Sequence, residues 1–195
     1  MKAIATILTL GLAGISLSGY SQAGPEPVAE AYQSCCGTQP VEFSSEDKRV
    51  FVPNAFTPNG DKVNDYFVPF VNEVITDVWG FAIYSAEGDT LLYLKEHFFP
   101  NTEKVHEHGW NGLRPDGTPY KGLFRYRMRV DDKIAKKIIV EGVACAIVCG
   151  KEAQVFQSKE GCFYPSQAGA EGTLTKEKAS EEKICFQENS DQNQN

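Results

Sequence analysis

The stretch FVPNAFTPNGDKVNDYFVP, Phe51 to Pro69, places a dense cluster of Pro, Asn, Gly and Asp between two apolar, strand-like runs. Such a cluster is typical of a tight corner, because proline presets φ and Asn-Gly adopts positive φ at little cost. The alternative is a calcium site, since Ca²⁺ prefers carboxylate and amide oxygens. The candidate ligands are Asn59, Asp61, Asn64 and Asp65. Their spacing does not match an EF-hand loop, and the two interpretations are compatible.

Short apolar runs divided by turn signals continue on both sides of this stretch, from residue 49 to residue 150. The run Leu123 to Val130 alternates apolar residues with arginines, which predicts a strand with one buried and one exposed face. Regularly punctuated short β-rich segments predict an all-β sandwich. Arg125, Arg127 and Arg129 would then form a basic stripe. That stripe is either a solvated face or a docking surface for an acidic partner or lipid headgroups.

The first 23 residues have the order of an export signal. Met1-Lys2 is basic, Ala3 to Leu17 is apolar, and Ser18 to Ala23 is polar and ends in small residues. This order predicts a secretory signal peptide cleaved after Ala23. The apolar stretch is shorter than the roughly 20 residues of a spanning helix, and no later segment is apolar enough, so we expect no transmembrane segment. The net charge of −7 disfavours nucleic acid as a partner.

In a secreted chain, cysteines indicate disulfides. Cys145 and Cys149 on one strand would lie about 13 Å apart, beyond the roughly 7 Å that a bridge spans. Each therefore needs a distant partner, for which Cys162 and Cys185 are the first candidates. A thiolate metal site is disfavoured because no CxxC pair occurs. The six disulfide candidates are Cys35, Cys36, Cys145, Cys149, Cys162 and Cys185.

Changes in composition predict four parts of the chain. A signal peptide (1–23) is followed by a Pro-, Glu- and Ser-rich N-terminal arm or linker (24–48), which Cys35-Cys36 would tether. The β-sandwich covers 49–150, and a cysteine-containing extension with a polar tail covers 151–195.

Several segments of residues 51–130 follow one another in an order that carries a family resemblance. PNAFTPNGDKVNDYF is followed by Ile83-Tyr84, Gly88, Gly109-Trp110-Asn111-Gly112 and Pro119-Tyr120-Lys121-Gly122, leading into Tyr126. This series resembles the gliding motility-associated C-terminal domain, the type B sorting domain of type IX secretion cargo, which opens on PNxFTPNGDGxND. The chain departs from that pattern at Lys62 and at Ser85-Ala86-Glu87-Gly88, and it continues beyond the last family strand.

The resemblance implies recognition by an outer-membrane β-barrel of the secretion and gliding apparatus. Together with the strand pattern, it predicts an all-β fold, an Ig-like antiparallel β-sandwich with a disulfide-containing C-terminal extension. We expect a secreted, outer-membrane-associated binding module at the cell surface, docked on the barrel as an accessory subunit. The alternatives are a small type IX cargo exported by its own sorting domain, and a surface glycan-binding module.

Three further features of the sequence bear on chemistry. His106 and His108 on a strand would face one side, which favours a solvated edge strand over a shared metal. Trp110 between glycines is typical of a core residue, with sugar stacking as the alternative. The sequence has no GxSxG, P-loop, HExxH or Rossmann motif, so we expect a protein that is not an enzyme.

Overall fold

A computed structural model describes residues 28–37, 41–100, 102–134 and 136–186. The predicted signal peptide and the last residues of the polar tail lie outside these ranges. Strands dominate and the helices are short, so the all-β prediction is confirmed. No helix in these four ranges has the length and apolarity that crossing a bilayer requires. The strands are β1 (Glu42–Ser45), β2 (Lys48–Phe51), β3 (Ala55–Phe56), β4 (Phe70–Val71), β5 (Ile75–Ser85), β6 (Leu91–Phe98), β7 (Gly122–Asp132) and β8 (Lys137–Ala146).

The strands form two sheets. The smaller sheet is antiparallel and has the order β1-β2-β4, so β1 lies within the segment predicted as an arm or linker. The larger sheet has the order β3-β8-β7-β5-β6, in which β3 joins β8 in parallel and the other neighbours are antiparallel. Trp79 opposes Arg129 whereas Ala82 opposes Arg127, which leaves one extra residue on β5. Gly80, at φ 58°, lies in this bulge and supplies the left-handed backbone it needs.

Strand β7 shows why the alternating sequence forms this sheet. Phe124, Tyr126, Met128 and Val130 are all buried, as the pattern predicts. The intervening arginines point to the opposite face, where Arg125 and Arg127 are exposed. The strand therefore separates the core from the solvent.

The main core lies between the sheets and is rich in aromatic rings. Trp110 is 1% exposed and packs 4.9 Å from Phe124 and 5.5 Å from Phe56, measured between ring centroids. Its backbone forms a bridge with Phe67, and its Nε1 donates a hydrogen bond to Leu113 O at 2.8 Å. The prediction of a core tryptophan is confirmed. A sugar-stacking role for Trp110 is wrong, because neither face of a buried indole can meet a ligand.

A second, smaller core lies beneath the N-terminal arm and the C-terminal extension. Tyr32, Ile147, Phe156 and Phe186 are buried there. The Tyr32 hydroxyl accepts a hydrogen bond from Val148 N at 2.9 Å, and its ring meets Phe156 edge-on at 5.2 Å. Burial raises the pKa of Tyr32 to about 12. The arm and the extension therefore belong to the folded unit. The extension contains 3-10 helices at Lys151–Gln157, Pro165–Gln167 and Ala170–Gly172.

All six cysteines form disulfides, as the sequence predicts. The bridges are Cys35–Cys145, Cys36–Cys162 and Cys149–Cys185. The pairing of Cys149 with Cys185 agrees with the expectation of distant partners. The expectation for Cys145 is wrong: its partner is Cys35 in the arm, with a Cα–Cα distance of 5.6 Å. Tyr32 in the arm is hydrogen-bonded to Val148, two residues beyond the end of β8, and Cys35 therefore lies near that strand.

The prediction of an edge strand around His106 is wrong. Residues Val105–His108 form a short helix, α1. Residues two apart on a helix do not share a face, so His106 is exposed while the His108 ring stacks on Phe98 at 4.8 Å. The shared metal site considered for the two histidines has no geometric basis in α1.

His108 should make the protein sensitive to mild acid. Its Nδ1 is buried without a hydrogen-bond partner in the described residues, and burial, followed by the charge of Lys95, lowers its pKa. The unfolded chain, with a histidine pKa of about 6.5, then binds more protons than the native state. Stability should therefore fall as the pH drops from about 6.5 towards the folded pKa. Urea melts of His108→Phe should lose this dependence, whereas His106→Phe, at the exposed position, should keep it. Equal slopes for wild type and His108→Phe would contradict the assignment.

Candidate functional site: the Asp loop and the outer row

The Asp loop, residues 57–65, is organised around the carboxylate of Asp65. Asp65 Oδ1 accepts backbone hydrogen bonds from Asn59 at 2.8 Å and Gly60 at 2.6 Å, and Oδ2 accepts one from Lys62 at 2.7 Å. Positive φ at Gly60, Lys62 and Asn64 lets the chain wrap around this carboxylate. The loop is thus a tight corner with a charged acceptor at its centre.

The other three candidate ligands are also engaged in protein hydrogen bonds. Asp61 Oδ1 accepts from Val63 N at 2.8 Å, and Asp61 Oδ2 accepts from Asn59 Nδ2 at 3.1 Å. Asn59 Oδ1 accepts from Asp61 N at 2.9 Å. Asn64 is 6% exposed and its Oδ1 accepts from Ser166 N at 2.8 Å. These bonds account for the turn without a cation.

The C-terminal extension lies against the loop through polar contacts that sequence reasoning missed. Asn64 Nδ2 donates to Ser180 O at 2.8 Å, in addition to its bond with Ser166. Glu182 is 7% exposed and accepts hydrogen bonds from Thr57 Oγ1 and, at 2.9 Å, from Cys185 N. The extension therefore holds both ends of the Asp loop. No local pattern could reveal contacts between residues more than 100 positions apart in the chain.

Calcium binding by Asn59, Asp61, Asn64 and Asp65 stays a prediction. The described residues contain no group of three or more His, Cys, Asp or Glu side chains arranged to hold a metal ion. The loop could offer Ca²⁺ only oxygens that already accept hydrogen bonds. Isothermal titration of Ca²⁺ against the chelator-treated protein tests the prediction directly.

Asp65 should contribute more to stability than an ordinary turn aspartate. Asp65→Ala removes the acceptor for three backbone N–H groups, and we expect the free energy of unfolding to fall by about 1–2 kcal/mol. Asp116 provides the matched control, because its carboxylate bonds only the backbone and hydroxyl of Thr118. Urea denaturation of Asp116→Ala should show a clearly smaller loss than that of Asp65→Ala. Equal losses in the two variants would contradict this account of the loop.

The outward face of the larger sheet carries a row of exposed side chains, here called the outer row. His97, Trp79, Arg129 and Ile139 are directly opposed on β6, β5, β7 and β8. Directly opposed residues share a face. Trp79 is 39% and Ile139 50% exposed, and Phe99, 67% exposed, extends the row with its ring 4.9 Å from that of His97.

Stacking and charge pairing order the centre of the outer row. The rings of Trp79 and His97 lie 4.0 Å apart, and Arg129 Cζ lies 5.2 Å from the indole centroid. His97 Nε2 lies 2.8 Å from Asp77 Oδ1. The Thr76 hydroxyl, and then His97, hold the pKa of Asp77 below its usual range. These contacts hold the side chains of Trp79 and His97 in place.

The arginine stripe on β7 is paired with carboxylates. Arg125 bonds Asp89, Arg127 Nε lies 3.5 Å from Glu141 Oε2, and Arg129 Nε donates to Asp131 Oδ1 at 2.9 Å. The stripe is therefore not a patch of unbalanced positive charge. Its role as a partner-binding surface stays a prediction. Exposed apolar side chains lie beside it on the same face of the sheet.

Strand β6 forms one edge of the larger sheet. It pairs with β5 on one side, and no strand of the described residues pairs with the other side. Leu91 is 43% and Leu94 is 47% exposed. An open edge next to exposed apolar side chains can accept a further strand.

Comparison with known proteins finds no matching family model, no matching curated protein and no matching solved structure.

Proposed function

We propose that this chain is a secreted cell-surface binding module of the type IX sorting-domain kind. It docks on an outer-membrane β-barrel as an accessory subunit of a surface complex. The observation that carries the docking role is the ordered outer row beside the open edge of β6. Exposed aromatic and aliphatic side chains in an ordered array are the composition of a protein-binding surface.

The strand order supports an Ig-like arrangement. The sequence of neighbours β8-β7-β5-β6 corresponds to the G-F-C-C′ order of a variable-type immunoglobulin sheet. The smaller sheet, with β2 and β4, covers the other side of the core. Against this stands the short length of the smaller sheet, whose β4 has only two residues. The proposal therefore rests on the larger sheet.

The extension supports a resident subunit over a passing cargo. Residues 151–186 are joined to the rest of the chain by two disulfides and by the polar contacts of Asn64 and Glu182. A sorting signal that is read and removed should be separable from its neighbours. Here the segment beyond the last strand is built into the fold.

Gentle extraction from membranes tests the proposal. The wild-type protein should fractionate with the outer membrane and co-purify at fixed stoichiometry with a β-barrel protein. A double variant of the outer row, Trp79→Ser with Ile139→Ser, should remain folded but lose that partner. Leu113→Ser, at a 38% exposed leucine outside the row, is the matched control and should keep it. Recovery of the wild-type protein free in the medium, with no membrane partner, would overturn the proposal.

Removal of the extension separates the cargo alternative. A chain cut after residue 150 should still be exported if the sandwich carries its own sorting signal. If the chain is a resident subunit, the same truncation should abolish assembly, because it leaves Cys36 and Cys149 without partners. The glycan-binding alternative retains only the Asp loop, since Trp110 is buried, and failure to bind any polysaccharide would remove it.

A further inference from the structure

One lysine and one aspartate meet in the interior, between the two sheets. Lys48 begins β2 of the smaller sheet and Asp132 ends β7 of the larger sheet. Lys48 is 2% and Asp132 8% exposed, and Lys48 Nζ lies 2.6 Å from Asp132 Oδ2. An ordinary buried ion pair returns little net stability, because desolvation offsets the attraction. The surroundings of the carboxylate support a role for this contact other than stabilisation of the fold.

The two oxygens of Asp132 have different partners. Oδ1 accepts backbone hydrogen bonds from Ile134 N at 3.0 Å and Lys136 N at 2.9 Å. Within the part of the chain that the structure describes, Oδ2 contacts the Lys48 amine. Two N–H donors on one oxygen form the arrangement that stabilises negative charge in acyl transfer. Two donors thus polarise Oδ1, while the Lys48 amine lies against Oδ2 of the same carboxyl group.

We propose that Lys48 and Asp132 are a site of intramolecular amide formation, in which Lys48 Nζ becomes bonded to Asp132 Cγ. This inference stands independently of the proposed function. The product is a covalent tie between the two sheets.

The chemistry begins from an ion pair. The hydrogen bond between the two side chains raises the pKa of Lys48 and lowers that of Asp132. Transfer of one proton from Nζ to Oδ2 across the contact gives the neutral amine and carboxylic acid that react. This proton transfer costs free energy, and that cost opposes the reaction. Burial lowers the cost, because it disfavours separate charges. Permanent proximity in the folded chain supplies the compensating advantage, because bound groups near contact distance react as if highly concentrated.

The reaction is a condensation that needs no oxidant or reductant. Nζ attacks Cγ, the Nζ–Cγ bond forms, and charge develops on Oδ1 where the two N–H groups donate. A second proton passes from Nζ to Oδ2 across the same contact. The Cγ–Oδ2 bond then breaks and water leaves.

Mass spectrometry of the denatured protein after disulfide reduction tests the proposal. The wild-type chain should be lighter than its sequence by one water molecule, and protease digestion should give the peptide of Lys48 joined to that of Asp132. Lys48→Arg and Asp132→Ala should each restore the full sequence mass. Lys104→Arg, at an exposed pair with Glu107, is the matched control and should retain the loss. If either site variant fails to fold, the wild-type peptide map still decides. A wild-type mass equal to the sequence mass, with both peptides unlinked, overturns the proposal.

Discussion

Trp110→Ala should lower the free energy of unfolding by about 3–5 kcal/mol, the range for truncation of a buried aromatic residue. The indole fills the space between Phe56, Phe124 and Tyr120, and it also satisfies Leu113 O. Truncation leaves a cavity in a core whose surrounding rings are held by several partners, so collapse around it is incomplete. Chemical denaturation of the purified protein measures the loss.

The second tryptophan is the control for this prediction. Trp79 is 39% exposed on the outer row and contacts His97 and Arg129 rather than the core. Trp79→Ala should cost about 1 kcal/mol or less, since most of its surface remains near water. Similar losses for the two variants would contradict the assignment of Trp110 as the central core residue. Binding assays should show the reverse order, with the larger effect at Trp79.

Removal of both disulfides of the arm should leave no stable fold. Cys35–Cys145 and Cys36–Cys162 close loops of 110 and 126 residues. While Cys36–Cys162 is intact, Cys35–Cys145 closes only a short ring of the cross-linked chain. Its loss should therefore cost about 3 kcal/mol. Loss of the second bridge then releases the long loop and costs a further 5 kcal/mol or so. The sum is comparable to the whole stability of an ordinary domain.

The measurement is a series of thermal melts. Cys35→Ala with Cys145→Ala should still melt cooperatively at a lower temperature, whereas the variant lacking all four cysteines should show no transition. Cys149→Ala with Cys185→Ala is the control, because that bridge spans 36 residues and leaves the arm attached. A cooperative, near-wild-type melt of the four-cysteine variant would show that the second core holds the arm without covalent help.

Local patterns were sufficient where one segment determines its own environment. The alternation in β7 predicts which of its side chains are buried, and the glycines around Trp110 favour a core position. The Asp loop is likewise a local turn, since the backbone donors to Asp65 lie within six residues of it. In each case the pattern that supports the prediction lies within one short segment.

The remaining features depend on contacts that local patterns do not contain. β1, with the sequence EFSS, has no apolar alternation and forms only because β2 pairs with it. The partner of Cys145 depends on how the arm packs on β8. The bulge at Gly80 changes the strand register within one apolar run of β5. Because of this change, Trp79 lies on the exposed face of the sheet. Helix α1 contradicts the strand expectation because its residues close a corner against Phe98 rather than continue a sheet.

The adjacency of Cys35 and Cys36 has a consequence for a chain that is cut by a protease. Both cysteines precede the turn of the β7–β8 hairpin, and their partners Cys145 and Cys162 follow that turn. Ile134 at the tip of that hairpin is 81% exposed and is an accessible place for cleavage. A single nick there would yield two polypeptides that migrate together on a non-reducing gel and separate only with a thiol. The chain can therefore be severed at this exposed turn and still remain one particle.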